Sequence, residues 1–221
     1  MIMRKSIFLL LIVSVLVSFA SAFGQVKEIE RDEYYKAFRE ASAKSRTVSR
    51  RNVQSITGLR NDNPFSEEWT YEYQLPDRVR YLHVITFGGI TRRVEQIDIA
   101  DVKYCRRDDG EWALSKSYCI GGSAFGGPSG VISERFEREN IIHGGQDLIR
   151  FGQYITYKNS FSETAASDGP SFWKSTFWVD RSGRLVRSEA SRGLVTGPKV
   201  SYESKERIEY DRNIKIEAPI K

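Results

Sequence analysis

The chain has 221 residues, with 34 Lys and Arg against 29 Asp and Glu and a formal net charge of +5. The two signs are interleaved rather than gathered in blocks, which speaks against a nucleic-acid stripe. Two His and two Cys are too few and too scattered to build a zinc centre.

The N-terminus reads Met1-Ile2-Met3-Arg4-Lys5, then an apolar run from Ile7 to Phe19, then Ala20-Ser21-Ala22. A basic start, an apolar middle and small residues at the end make a three-part secretory signal over residues 1–22. The alternative, an uncleaved anchor, meets an apolar run that is short for a bilayer. No Cys lies near the cut, which argues against a lipid anchor at the new N-terminus. Removal of residues 1–22 takes away Arg4 and Lys5 and no acid, leaving 199 residues with a charge of +3. That length suits a single domain, residues 23–221, with no transmembrane segment after cleavage.

Residues 28–46 are predicted to form the main helix. Tyr34, Tyr35, Phe38, Ala41 and Ser45 fall at helical spacing, so one face is aromatic and must lie on a sheet. The period then changes to two. Trp69, Tyr71, Tyr73 and Leu75 share one face of a strand, and Pro76-Asp77 turns the chain. Val79, Tyr81, His83, Ile85 and Phe87 share a face of the next strand, before Gly88-Gly89. Strands near 91–99 and 101–107 follow, then a turn at Asp108-Asp109-Gly110 and a return over 111–118.

Residues 120–130 are a glycine-rich loop. Residues 131–145 are ambiguous: Glu134 to Asn140 reads as a short helix with Ile141-Ile142 as its buried end. Strands are predicted at 148–157, 172–179, 185–191 and 200–210. A polar loop covers 159–170, a hairpin turn covers Asp180 to Gly183, and a tail carries Ile214, Ile216 and Pro219. The sum is an α+β fold: a curved, mostly antiparallel open β-barrel, or half-barrel, of about ten strands with the N-terminal helix as lid.

No catalytic constellation stands out. His83 lies in register with Val79, Tyr81 and Ile85 and reads as a satisfied, partly buried histidine. His143 precedes Gly144-Gly145 in a loop. Asp108, Asp109 and Glu111 sit at a hairpin tip, where acids serve the turn. The 120–130 loop matches neither the dinucleotide nor the P-loop spacing, and Ser123 and Ser129 lack the nucleophile-elbow frame. It reads as a flexible loop or gate, or as a solvated insertion. No enzyme activity, cofactor or metal is expected. Cys105 and Cys119 are expected to form a disulfide in an oxidising compartment, worth about 3 kcal/mol. A redox or metal thiol pair is the weaker reading, because there is no C-x-x-C.

The apolar faces remain. Trp69, Tyr71, Tyr73, Tyr81, Ile85, Phe87, Phe177 and Val179 all point inward if the sheet curls, beneath Tyr35 and Phe38 of the lid helix. They are either a filled core or the lining of a cavity that accepts an acyl chain, with a driving force of about 0.8 kcal/mol per buried CH₂.

Three stretches carry a resemblance. One is Trp69, Tyr71 and Tyr73 running into Pro76-Asp77-Arg78. The second is Phe177-Trp178-Val179-Asp180, then Gly183 and Leu185-Val186-Arg187. The third is Tyr210-Asp211, Asn213-Ile214-Lys215-Ile216 and Pro219. In this order they resemble the periplasmic lipoprotein-carrier superfamily, the LolA-like half-barrels, and are similar to the mycobacterial lipid-binding lipoproteins. The resemblance implies a curved sheet around an apolar cavity and a secreted, periplasmic protein. Its implied partner is a lipid or acylated protein, carried or bound without catalysis. The alternative on the same scaffold is an envelope sensor that contacts a partner protein. The cysteine pair, the glycine-rich loop and the absence of a lipid-anchoring Cys depart from the family pattern, and no family residue is carried over.

Overall fold

The structure is a computed structural model and describes residues 24–60, 63–115, 119, 130–158, 169–195 and 200–220. The predicted signal 1–22, residues 120–129 of the glycine-rich loop with Ser123 and Ser129, and residues 159–168 of the polar loop lie outside the described residues. The elements are β1 (Lys27–Ile29), α1 (Arg31–Arg46), β2 (Arg50–Arg60), β3 (Asn63–Gln74), β4 (Arg78–Phe87), β5 (Ile90–Ile99) and β6 (Val102–Arg107). They continue with β7 (Ala113–Ser115), β8 (Val131–His143), β9 (Gln146–Tyr157), β10 (Ser171–Asp180), β11 (Leu185–Leu194) and β12 (Val200–Tyr210).

All described strand pairs are antiparallel, and the twelve strands form one open sheet in the order β1-β8-β9-β10-β11-β12-β2-β3-β4-β5-β6-β7. Two meanders, β2–β7 and β8–β12, join edge to edge where β12 pairs with β2. Among the described residues the expected architecture is present in its coarser form, an open antiparallel sheet with one helix, and with twelve strands instead of about ten.

A sheet of twelve strands is wide enough to curl, and the disulfide favours it. The register row of Cys105 reaches Asn140 on β8 through Gln96, Tyr81, Tyr71 and Asn52 and then the neighbouring strands. Gly130 lies ten residues beyond Asn140 along the chain. In a flat sheet, nine strand spacings and that offset would separate Cys105 from Gly130 by roughly 50 Å. The path through the Cys105–Cys119 disulfide and the residues up to Gly130 reaches about 46 Å at full stretch. That path falls slightly short for a flat sheet, which fits a curved one.

α1 carries Asp32 and Glu33 in its first turn and Lys44 and Arg46 in its last, which complements the helix dipole at both ends. Its buried residues are Tyr34, Ala41 and Ser45. They face a core of Ile29, Phe136, Phe151, Phe177, Val179, Leu185 and Ile208. Tyr34, only 3% exposed, packs edge-on to Phe177 at 5.2 Å and against Phe136 at 5.3 Å. Phe151 stacks on Phe177 at 4.8 Å. At the helix C-terminal end, Ser45 Oγ donates to the Ala41 carbonyl and accepts from the Leu185 amide. The Tyr210 hydroxyl lies within bonding range of Ser45 Oγ and the Leu185 carbonyl. This junction ties helix, β11 and β12 together.

The opposite face is charged. Glu95, 1% exposed, accepts from Arg80 Nε and Nη2 and from Arg106 Nη2. Burial pushes its carboxyl up, but the bonds from Arg106 and Arg80 outweigh that and hold it below the ordinary carboxylate value. Glu137 lies across Gly152, where a Cβ would come within 2.8 Å of its Cγ. Its carboxylate takes a 2.7 Å bond from Arg150.

Three local expectations are corrected. The helix begins at Arg31, because residues 27–29 pair as β1 with Phe136–Arg138 of β8 and place Ile29 opposite Phe136. Residues 50–60, for which no element was predicted, form β2 at the centre of the sheet. Residues 131–143 form a strand, not a short helix. Phe136 and Arg138 alternate with Glu137 and Glu139, so one face meets α1 and the other makes cross-strand ion pairs.

Candidate ligand-binding face

The face of the sheet that carries α1 is the inner face. Register follows it across the molecule, because directly paired residues point the same way. Phe177 pairs with Ser188, Ser188 with Glu206, Glu206 with Gln54, Gln54 with Trp69, and Trp69 with His83. Trp69, Tyr71 and Tyr73 on β3 and Tyr81, Ile85 and Phe87 on β4 therefore share the face of Phe177 and Val179.

Their surroundings differ along that face. Phe177 and Val179 are 2% and 7% exposed and belong to the packed core under α1. Of the two lid residues, Tyr35 is half-buried, and its hydroxyl accepts a 2.8 Å bond from Gln153. Phe38 stays 41% exposed while its ring packs edge-on to Phe177 at 5.3 Å. Trp69, Tyr71, Tyr73, Tyr81 and Ile85 are half-buried, and Phe87 is exposed.

The β3–β4 aromatics hold one another in place. Trp69 lies parallel to Tyr71 at 5.8 Å and to the His83 ring at 3.6 Å, and Tyr71 meets Tyr81 edge-on at 5.5 Å. Trp69 Nε1 donates to Glu67 Oε2 at 3.0 Å, and His83 Nε2 lies 3.3 Å from the same oxygen. His83 is thus the stacked, partly buried histidine that its register implied. At the lower end Arg50 covers the Tyr73 ring at 3.8 Å.

Between the two apolar zones runs a polar seam that periodicity did not single out. Asn52 Nδ2 and Ser188 Oγ donate to the two oxygens of Glu206, at 2.8 and 2.9 Å. Gln54 Nε2 donates to Ser204 Oγ. Burial raises the Tyr71 phenol, and the charges of Tyr73, Glu206, Tyr81 and Glu67 raise it further, so it stays protonated throughout the physiological range. The seam could have been found by continuing the period-two count back from Tyr210 and Ile208 to Glu206 and Ser204.

Cys105 shares the Tyr71–Tyr81–Gln96 row and is bonded to Cys119, with Cα atoms 6.1 Å apart, a normal disulfide span. The Cys119 amide donates to Gln96 Oε1 at 3.0 Å, and Gln96 Nε2 donates to Asp98. Among the described residues no group of three or more His, Cys, Asp or Glu is arranged to hold a metal ion. No helix of the described residues is long and apolar enough to cross a membrane.

No family model and no curated protein matches the chain. Solved structures do match. The lipoprotein LppX of Mycobacterium tuberculosis is similar over 85% of this chain and 100% of its own, at 13% identity and a TM-score of 0.46. A LolA superfamily protein from Nitrosomonas europaea is similar over 85% of this chain and 96% of its own, at 9% identity and a TM-score of 0.30. A DUF1329 family protein from Desulfovibrio piger is similar over 82% and 93%, at 12% identity and a TM-score of 0.23.

Proposed function

We propose that this protein is an exported, non-catalytic binder or carrier of an acyl chain, taken from a lipid or an acylated protein. In this reading residues 1–22 direct export and are removed, and residues 23–221 act as one domain in the periplasm. The ligand lies against Trp69, Tyr71, Tyr73, Tyr81, Ile85 and Phe87, with Phe177 and Val179 forming the packed wall beside it. One observation carries this reading. Six large side chains on β3 and β4 share the inner face with the core under α1, yet remain half-buried or exposed. A row of aromatic side chains on an inward face is costly to leave in water, and covering it is the driving force for binding.

The test is to purify the protein from its envelope fraction, extract it and identify lipid by mass spectrometry. Stoichiometric acyl lipid is expected, and Tyr81→Asp should cut the bound amount at least about tenfold by placing a charge in the apolar row. A lipid-free protein that co-purifies with a partner protein would instead favour the sensor on the same scaffold.

A further inference from the structure

On the outer face Glu95, Glu137 and Glu139 are each in contact with an arginine. Glu206, half-buried on the inner face of β12, is not. Its two oxygens take neutral donors, Asn52 Nδ2 at 2.8 Å and Ser188 Oγ at 2.9 Å. Among the described residues no Lys, Arg or His forms an ion pair with it. Arg50, on the inner face of β2, donates to the Ser45 carbonyl and covers the Tyr73 ring instead. The Asn52 amide that donates to Glu206 has its own oxygen buried without a partner. The seam thus holds an excess of acceptors and a negative charge that neutral donors do not cancel. Aromatic rings stand beside it. Burial raises the Tyr71 and Tyr73 phenols, and the Glu206 charge raises both as well, against the opposing effect of Arg50 at Tyr73. Both rings therefore lie within the field of that carboxylate.

We propose that Glu206 holds the ammonium head of an amphiphile whose chain runs across the inner face to the β3–β4 aromatics. This rests on the acyl-binding reading and specifies its ligand class. An ionised carboxylate offers about four acceptor sites, so the bonds from Asn52 and Ser188 leave room for N–H donors from a ligand. An ammonium supplies both the missing donors and the missing charge, and its bond to a carboxylate is roughly twice as strong as a neutral one. The faces of the Tyr71 and Tyr73 rings favour a cation as well. From β12 to β3 and β4 is two or three strand spacings, about 10–14 Å, a span that a dodecyl chain covers. The chain as a whole carries a formal charge of +5. A preference for a cationic ligand would therefore run against the overall charge and report the local site.

The experiment compares dodecylamine, dodecanol and ethanolamine on the purified, delipidated protein at neutral pH, by displacement of an uncharged fluorescent apolar probe. Dodecylamine should bind about tenfold more tightly than dodecanol. Glu206→Gln, which keeps the size and hydrogen-bonding groups of the side chain, should bring the amine to the affinity of the alcohol and leave the alcohol's own affinity unchanged. Glu203→Gln removes an acid from the outer face of the same strand, where it pairs with Lys205, and should leave the preference intact. Loss of the preference in Glu203→Gln too would trace it to overall charge and overturn the assignment to Glu206. Millimolar ethanolamine should not displace the amine; if it does, the site takes a free cation and the head-group assignment is wrong. Equal affinities for amine and alcohol in the native protein overturn the proposal without any variant having to fold, and leave the acyl-binding reading standing. A preference that survives in Glu206→Gln overturns it too. If neither amphiphile binds, the acyl-binding reading itself fails and takes this one with it.

Discussion

Glu95 shows how a single side chain sets a condition on the whole fold. It is buried on the outer face and held ionised by Arg80 and Arg106, with Arg93 3.6 Å away. Its folded pKa is depressed below the ordinary 4.5. The stabilisation is therefore complete above that value and is lost as pH falls through it toward the folded value. Glu95→Gln should cost about 1–3 kcal/mol at neutral pH, because the guanidinium groups lose their anion. It should also flatten the fall in stability below about pH 4.5. Denaturant unfolding of native and variant protein between pH 3 and 7 checks both. Asp180 is likewise held low, its burial outweighed by bonds from Ser182 and the Arg184 amide. The difference between the two proteins isolates Glu95 from it. Equal slopes would remove Glu95 from the acid response.

At the scale of elements, the junction at Ser45 is where α1 is fastened. The residues after it turn into β2, and its hydroxyl is shared by Ala41, Leu185 and Tyr210. Ser45→Ala leaves the buried Leu185 amide without its acceptor, a loss of about 1–2 kcal/mol. Thermal unfolding should register that loss, and hydrogen exchange should show α1 opening ahead of the sheet. Exchange that accelerates equally in α1 and β9 would mean that the helix has no separate latch.

Which elements the sequence disclosed follows from the same packing. α1, β3, β4, β10 and β12 were legible because an apolar face meets something apolar. β2 was missed because its inner side chains, Asn52 and Gln54, bond to Glu206 and Ser204, so no hydrophobic alternation marks it. β8 was misread because its outer face carries Arg135, Glu137 and Glu139. Their partners are cross-strand or same-face charges, which in sequence look like a solvated helix.

For the whole molecule, the decisive property is the unequal covering of one continuous face. α1 packs on Phe136, Phe151 and Phe177, while the aromatics of β3 and β4 stack on each other. A polar seam through Glu206 separates the two zones. If the uncovered zone takes an acyl chain, affinity must grow with the length that can be laid on it. Each added CH₂ should contribute up to about 0.8 kcal/mol, so lengthening a fatty acid by two carbons should tighten binding by up to about fifteenfold. The gain should stop where the chain outruns the face. Titration calorimetry over a series of even-numbered saturated fatty acids below their aggregation limits measures the slope and the plateau. Trp69→Ala should lower the slope, because it removes the largest ring of the β3 row on which the chain would lie. A flat series would mean that the head alone is recognised and that the aromatic stretch of β3 and β4 serves some other contact.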